Sequence, residues 1–344
     1  MSTIPLTGRN IKRRLGKGES LTNRFYSPSD NDRRVAQALV QWTLTIVRLT
    51  VRLKLHKGSE AMLGDAERID TAVVFVHGFG GDARKTWLQF QILVDELKQE
   101  FPWWQDCDLY FWRHRSAWDR IADSARQLGE FIETVFPEPK NDVLKSYHQY
   151  LNQLIGVELP PADYGIDRSY KKLLVIGHSQ GGVIIREAVW GVFKRWRDTT
   201  DSSNGIKHPL LNSQIRLFAP AILGASLAGP LGFFQDFFLT SGLVNPFLQS
   251  MPGYKDLDPT NLYLSKLCDW TGGAAKSHPE IAGLRARVLF GKERVVSPGV
   301  YEYDTTEDPE LDQGHQNVCK PTRLYTRPLR FARYERSEST ASQA

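Results

Sequence analysis

Leu173-Leu174-Val175-Ile176-Gly177-His178-Ser179-Gln180-Gly181-Gly182 decides how this chain folds. An apolar run rich in β-branched residues meets Gly-x-Ser-x-Gly, and Val183-Ile184-Ile185-Arg186-Glu187-Ala188 follows. The pattern reads as a buried strand, a tight turn and a helix. A turn of this kind holds a serine hydroxyl in a strained, exposed position at the top of a sheet. Gly177 and Gly181 stand two residues either side of Ser179, where a Cβ would block the close approach of strand and helix. The motif alone is weak. The strand before it and the helix after it make Ser179 a nucleophile candidate rather than an incidental serine in a glycine-rich turn.

Outward from this turn, helical and strand patterns alternate. Upstream, Thr71–His77 reads as a buried strand ending in Gly78-Phe79-Gly80-Gly81-Asp82. A helix is expected from Arg84 to Glu100, with Trp87, Phe90, Leu93, Val94 and Leu97 on one face. Asp108–Trp112 is the next strand, Ala117–Val135 a second helix, Lys172–Ile176 the strand entering the turn, and Gln180–Trp196 the helix leaving it. Further strands are expected at Gln214–Ala219, Arg287–Phe290 and, last and short, Gly299–Tyr303. Near the start, Val35, Leu39, Trp42 and Ile46 recur at helical spacing, and Leu49–Leu55 alternates like a half-buried strand. That early helix either pads the sheet or rests on a bilayer surface, and its polar face lacks the lysines of an interfacial helix. Alternation of this kind implies a mostly parallel sheet with helices on both faces.

The 344 residues suffice for one large α/β domain, expected over residues 29–335, with a disordered basic arm at 1–28 and a Ser-rich tail at 336–344. Residues 137–170 read as an irregular insertion, and 221–281 as a longer one. The latter contains Leu231-Gly232-Phe233-Phe234-Gln235-Asp236-Phe237-Phe238-Leu239, either a helix packed on the core or a cap supplying an apolar acyl pocket. Cys107, Cys268 and Cys319 are odd in number and far apart with no Cys-x-x-Cys pair, which suggests neither a disulfide framework nor a thiolate zinc site and fits a reducing compartment. No metal site is expected, because the eight histidines are scattered with no His-Glu-x-x-His pair. The net charge of +5 is mild and concentrated partly in the arm (Arg9, Lys12, Arg13, Arg14, Lys17). It suits contact with anionic lipid, and no recognition motif accompanies it to suggest nucleic acid. Residues 1–27 lack the apolar core of a signal peptide, although their basic, acid-poor composition is shared by organellar transit peptides. Val35–Leu55 is too interrupted by polar residues to span a bilayer. The expected location is cytoplasmic, with peripheral membrane contact open.

A serine at its ordinary pKa is a poor nucleophile and needs a base, which in turn needs an orienting acid. In strand-ordered versions of this chemistry the chain runs nucleophile, acid, histidine. Of the histidines after Ser179, His208 comes too early and His278 precedes the strand that should carry the acid. His315, in a glycine-containing loop, fits the order and is the expected base. Glu293 is the first carboxylate beyond Arg287-Val288-Leu289-Phe290 and is the expected acid, with Asp304 and Asp312 as alternatives. The backbone N–H groups of Gln180 and Phe79 are the expected oxyanion donors. His77 and His178 read as loop-ordering and packing neighbours.

Val73-Val74-Phe75-Val76-His77-Gly78-Phe79-Gly80-Gly81 together with Gly177-His178-Ser179-Gln180-Gly181 resembles the α/β-hydrolase superfamily over roughly residues 70–330. Within it the chain looks like the lipase-like serine esterases related to glycosylphosphatidylinositol-inositol deacylases, and Gly80 through Lys85-Thr86-Trp87 is similar to the serine-active-site hydrolases of that group. The resemblance implies an α/β-hydrolase fold with an inserted cap and a Ser–acid–His triad, here Ser179, Glu293 and His315, with no metal and no cofactor. Two departures stand out. The acid is Glu rather than the commoner Asp. Where relatives often carry Thr-Pro-His-x-Gly-Ser, this chain has Ala219-Pro220-Ala221-Ile222-Leu223-Gly224-Ala225-Ser226. The expected function is hydrolysis of carboxylic esters, with a lipid or other apolar acyl ester as substrate. Acyl transfer or amide hydrolysis on the same triad, and a non-catalytic hydrolase-like scaffold at a membrane, are the alternatives.

Overall fold

The computed structural model describes residues 51–54, 60–63, 69–140, 169–199, 207–222, 224, 251–258, 260–292 and 301–334. The basic arm, the early helix, most of the 137–170 insertion, the Leu231–Leu239 stretch, Glu293 and the tail lie outside the described residues.

Among the described residues the sheet is built from β1 (Val51–Lys54), β2 (Glu60–Leu63), β3 (Thr71–Val76), β4 (Cys107–Trp112), β5 (Lys172–His178), β6 (Gln214–Phe218), β7 (Arg287–Leu289) and β8 (Thr305–Thr306). Their spatial order is β1-β2-β4-β3-β5-β6-β7-β8. β2 runs antiparallel to both β1 and β4, and every pairing from β4 to β8 is parallel. The central strands are apolar along their whole length because helices cover both faces. Ala72, Val74, Val76 and Val175 face one core; Val73, Phe75, Phe111 and Ile176 face the other.

The second core is closed by helix α1 (Ala83–Glu96) through Trp87 and Phe90. The first is closed by α2 (Ile121–Val135) and by α3 (Gln180–Thr199), the helix that leaves the Gly-x-Ser-x-Gly turn. Within the long insertion lie α4 (Pro252–Lys255) and α5 (Leu262–Ser277), and the described chain closes with α6 (Arg327–Phe331). α5 packs on α3, with Leu264 and Leu267 in the core and Trp270 stacked on Trp190 at 5.6 Å. The C-terminal part of the 221–281 insertion is therefore core structure. No helix among the described residues is long and apolar enough to cross a membrane.

Several expected boundaries move: α1 ends at Glu96 rather than Glu100 and β5 runs to His178 rather than Ile176. Two further shifts have a local reason. α2 starts at Ile121 rather than Ala117, because the carbonyls of Ser116 and Ala117 turn outward to accept hydrogen bonds from Gln180 and Gly253. The Ile121 N–H is capped instead by Asp256 from the end of α4, at 2.8 Å. The last strand was expected at Gly299–Tyr303 and is found at Thr305–Thr306. Tyr301–Asp304 is a turn pinned by its side chains: the Arg186 guanidinium sits 4.6 Å from the Tyr301 ring and pairs with the Asp304 carboxylate.

This Arg186–Asp304 pair is fully buried, and Asp304 also accepts the Ala286 N–H at 2.8 Å, so it braces α3 against the start of β7. Arg186→Met would leave a carboxylate stranded in the core. The expected loss is about 3–5 kcal/mol in urea unfolding, and Arg186→Met/Asp304→Asn should recover part of it because the uncompensated charge is gone. Equal destabilisation of single and double variants would argue against the charge as the cause.

Candidate active site

Ser179 lies between the end of β5 and the start of α3, with φ of 54°, a left-handed conformation uncommon for a residue with a side chain. The surroundings hold it there. Its N–H donates to Phe218 O, and its carbonyl accepts from Gly182 and Ala221. The turn is possible only because its neighbours lack side chains. A Cβ on Gly181 would meet Val76 O at 2.4 Å, and one on Gly177 would meet Ile185 Cδ1 at 2.6 Å.

His315 reaches the same point from the loop beyond β8. Its Nε2 lies 3.0 Å from Ser179 Oγ, and both residues are buried. That loop is tied to its neighbours. His178 donates from Nε2 to His315 O at 2.9 Å, and the Lys292 N–H, just beyond β7, donates to Gln313 O at 2.7 Å. Neither alternative acid is bonded to His315: Asp304 is committed to Arg186 and Ala286, and Asp312 is exposed. Glu293, next after Lys292, lies outside the described residues.

The chain leaving β3 passes against the serine. Gly78 is so close that a Cβ there would lie 2.9 Å from Ser179 Cβ. Gly81 N–H donates to Gly78 O, and Gly80 has φ of 65°, so Gly78–Gly81 is a type II turn with Phe79 and Gly80 at its corners. Gln180 and Phe79, the expected donors, thus stand at the ends of adjacent strands on either side of Ser179. The Phe79 ring is buried against Tyr254 of α4, edge to face at 5.9 Å.

Sheet order, the antiparallel second strand and a left-handed serine after β5 with a histidine after β8 together decide the architecture. The chain has the α/β-hydrolase fold. No protein-family model and no curated protein matches it. Solved structures similar to this chain include phospholipase PlaB from Legionella pneumophila in complex with thio-NAD, at 18% identity and TM-score 0.36, over 64% of this chain and 37% of PlaB. A membrane phospholipase A, a bacterial virulence factor, is 13% identical with TM-score 0.39, over 86% of this chain and 90% of that one. Naproxen esterase from Bacillus subtilis is 11% identical with TM-score 0.38, over 89% and 99%. At these scores the fold rests on the sheet order rather than on the likeness.

The electrostatics of the site follow from burial. Desolvation lowers His315 to about 3, helped by neighbouring His178, and lowers His178 and His77 to about 4. His114, stacked on His77 at 4.1 Å, is pushed down by the same cause. A neutral imidazole whose Nε2 accepts the serine O–H is the state that can take a proton from it. His77 is also neutral, donating from Nδ1 to Gly78 O while Nε2 faces the His114 N–H.

These histidines make stability fall in acid. Their folded values lie below the ordinary 6.5, so between about pH 6.5 and 4 the unfolded chain binds more protons than the fold. Stability is full above 6.5 and is lost as pH falls through that window, on the order of 3 kcal/mol for each fully buried histidine. Glu187, raised by burial, works weakly in the opposite direction. Melting at pH 5 is expected roughly 10 °C below that at pH 7; an unchanged melting temperature would show that these rings are protonated in the fold.

The sequence offered no sign of Ser116, His114 or Gly253, which converge on the same loops. They come from an irregular segment after β4 and from the insertion, and no motif or periodicity marks either.

Proposed function

We propose that this α/β-hydrolase is a serine hydrolase of carboxylic esters. The observation that carries the reading is the 3.0 Å approach of His315 Nε2 to a Ser179 hydroxyl held in left-handed backbone. Ser179 Oγ attacks the ester carbonyl as His315 takes its proton. The Phe79 and Gln180 amides hold the oxyanion, and His315 returns the proton to the departing alcohol. Water, activated by the same imidazole, then releases the acid from Ser179. Glu293 is the orienting acid. It directly follows Lys292, whose N–H is bonded to Gln313 two residues before the histidine. Neither Asp304 nor Asp312 makes a hydrogen bond to His315 that would compete for this role.

The acyl group is apolar, in keeping with the Phe79–Tyr254 contact beside the serine and with the phenylalanine-rich insertion. A lipid or other apolar ester is thus the substrate class. The basic arm brings the enzyme to anionic bilayers, on the cytoplasmic side where its unpaired cysteines stay reduced. The narrower deacylase-like reading rests on the motif residues alone.

The test is covalent labelling by a fluorophosphonate with a screen of p-nitrophenyl esters of increasing chain length. Labelling together with preference for longer chains supports the proposal. A full-length protein that neither labels nor turns over any ester refutes it.

A further inference from the structure

Resting on the serine-hydrolase reading, we propose that Ser116 is a positioning residue for the oxyanion site. Its side chain sets one donor loop and its backbone sets the other. Ser116 is buried in the segment after β4. Its Oγ accepts the Gly80 N–H at 3.0 Å, and its carbonyl accepts the Gln180 side-chain amide at 3.1 Å. The same Gln180 Nε2 donates to Gly253 O at 3.1 Å, and the Gly253 N–H returns to Ala117 O at 3.2 Å. The packing is close enough that a Cβ on Gly253 would lie 2.2 Å from Ser116 O.

The chemistry of the turn explains why a hydroxyl belongs there. In a four-residue turn, types I and II differ chiefly by a flip of the central peptide, here Phe79–Gly80. The direction of the Gly80 N–H reports that flip. An acceptor fixed on the Gly80 N–H holds the type II form and anchors the turn that carries Phe79, whose own N–H is the proposed oxyanion donor. Preorganised donors stabilise a transition state because they need no reorientation as charge develops. Ser116 supplies that preorganisation from the segment that follows β4, outside both donor loops. Gln180 extends the same network to Gly253, and the next residue, Tyr254, packs on the Phe79 ring. The start of α4, within the insertion, is thus coupled to the oxyanion loop through two paths.

Ser116→Ala removes the Oγ acceptor and keeps the carbonyl. On a p-nitrophenyl ester, kcat is expected to fall roughly 10- to 100-fold, less than for loss of a direct donor. KM should stay within about twofold, and affinity for a trifluoromethyl ketone, which mimics the tetrahedral oxyanion, should fall in parallel with kcat. Ser116→Thr restores the hydroxyl and should recover most of the rate. Gly80→Ala disturbs the same turn without touching Ser116, because nothing lies within 4 Å of its Cβ but its φ of 65° is left-handed. Its effect on kcat should be less than additive with that of Ser116→Ala. Wild-type kcat in Ser116→Ala, a loss confined to KM, additive losses in the double variant, or no recovery with Ser116→Thr would each overturn the proposal. A wild-type protein with no ester turnover would instead remove the hydrolase reading on which it rests.

Discussion

Ser179→Ala is expected to abolish fluorophosphonate labelling and to lower kcat on p-nitrophenyl esters by a factor on the order of 10⁴ to 10⁶. The substitution removes one oxygen, the atom His315 Nε2 approaches at 3.0 Å, and leaves the elbow otherwise intact. Alanine takes the φ of 54° at about the cost serine does, so the melting temperature should shift by no more than a few degrees. That combination matters, because a large loss of rate in a folded protein assigns the chemistry to the hydroxyl. His315→Gln should lose a similar factor, and the two together little more than either alone, since nucleophile and base act as one unit. Labelling of Ser179→Ala at the wild-type rate would place the reactive group elsewhere in the chain.

Gly181→Ala is expected to destabilise the protein strongly with a single added methyl. The new carbon would press on Val76 O at 2.4 Å and His77 O at 2.7 Å, both backbone atoms at the end of the central strand β3. Neither can swing away as a flexible side chain would. The strain should cost about 3 kcal/mol or more, at or above the upper end for overpacked cores. Urea unfolding reads this directly. Gly272→Ala supplies the contrast. It sits within α5 with nothing within 4 Å of a new Cβ, so the change should stabilise by roughly 0.5–1 kcal/mol through helix propensity. Equal effects of the two substitutions would show that close approach at the elbow is not what the glycine permits.

The elbow was legible because its demands are local. A serine forced into left-handed backbone between strand and helix needs small residues at fixed offsets, and Gly177 and Gly181 occupy them. The strands of the central sheet were equally legible, being apolar throughout where helices cover both faces. The last strand is misplaced because Tyr301 and Tyr303 look strand-like in sequence, whereas Arg186, more than a hundred residues earlier, holds Tyr301 and the following Asp304 in a turn. The start of α2 was misplaced for a similar reason: carbonyls that would have continued the helix are drawn off by Gln180 and Gly253. His315 could be picked out by chain order, yet nothing in the sequence gives its distance to the serine.

By itself, then, the sequence determined the alternating elements and the Gly-x-Ser-x-Gly turn, because each is written in residue types at short spacing, and it gave the chain order of a candidate serine, carboxylate and histidine. Only the tertiary structure decided that His315 meets Ser179, that four histidines are buried, and that Ser116 joins the loops that follow β3 and β5. Those facts depend on parallel strands delivering the ends of distant segments to one edge of the sheet. Such a meeting leaves no periodicity in any of the segments that take part.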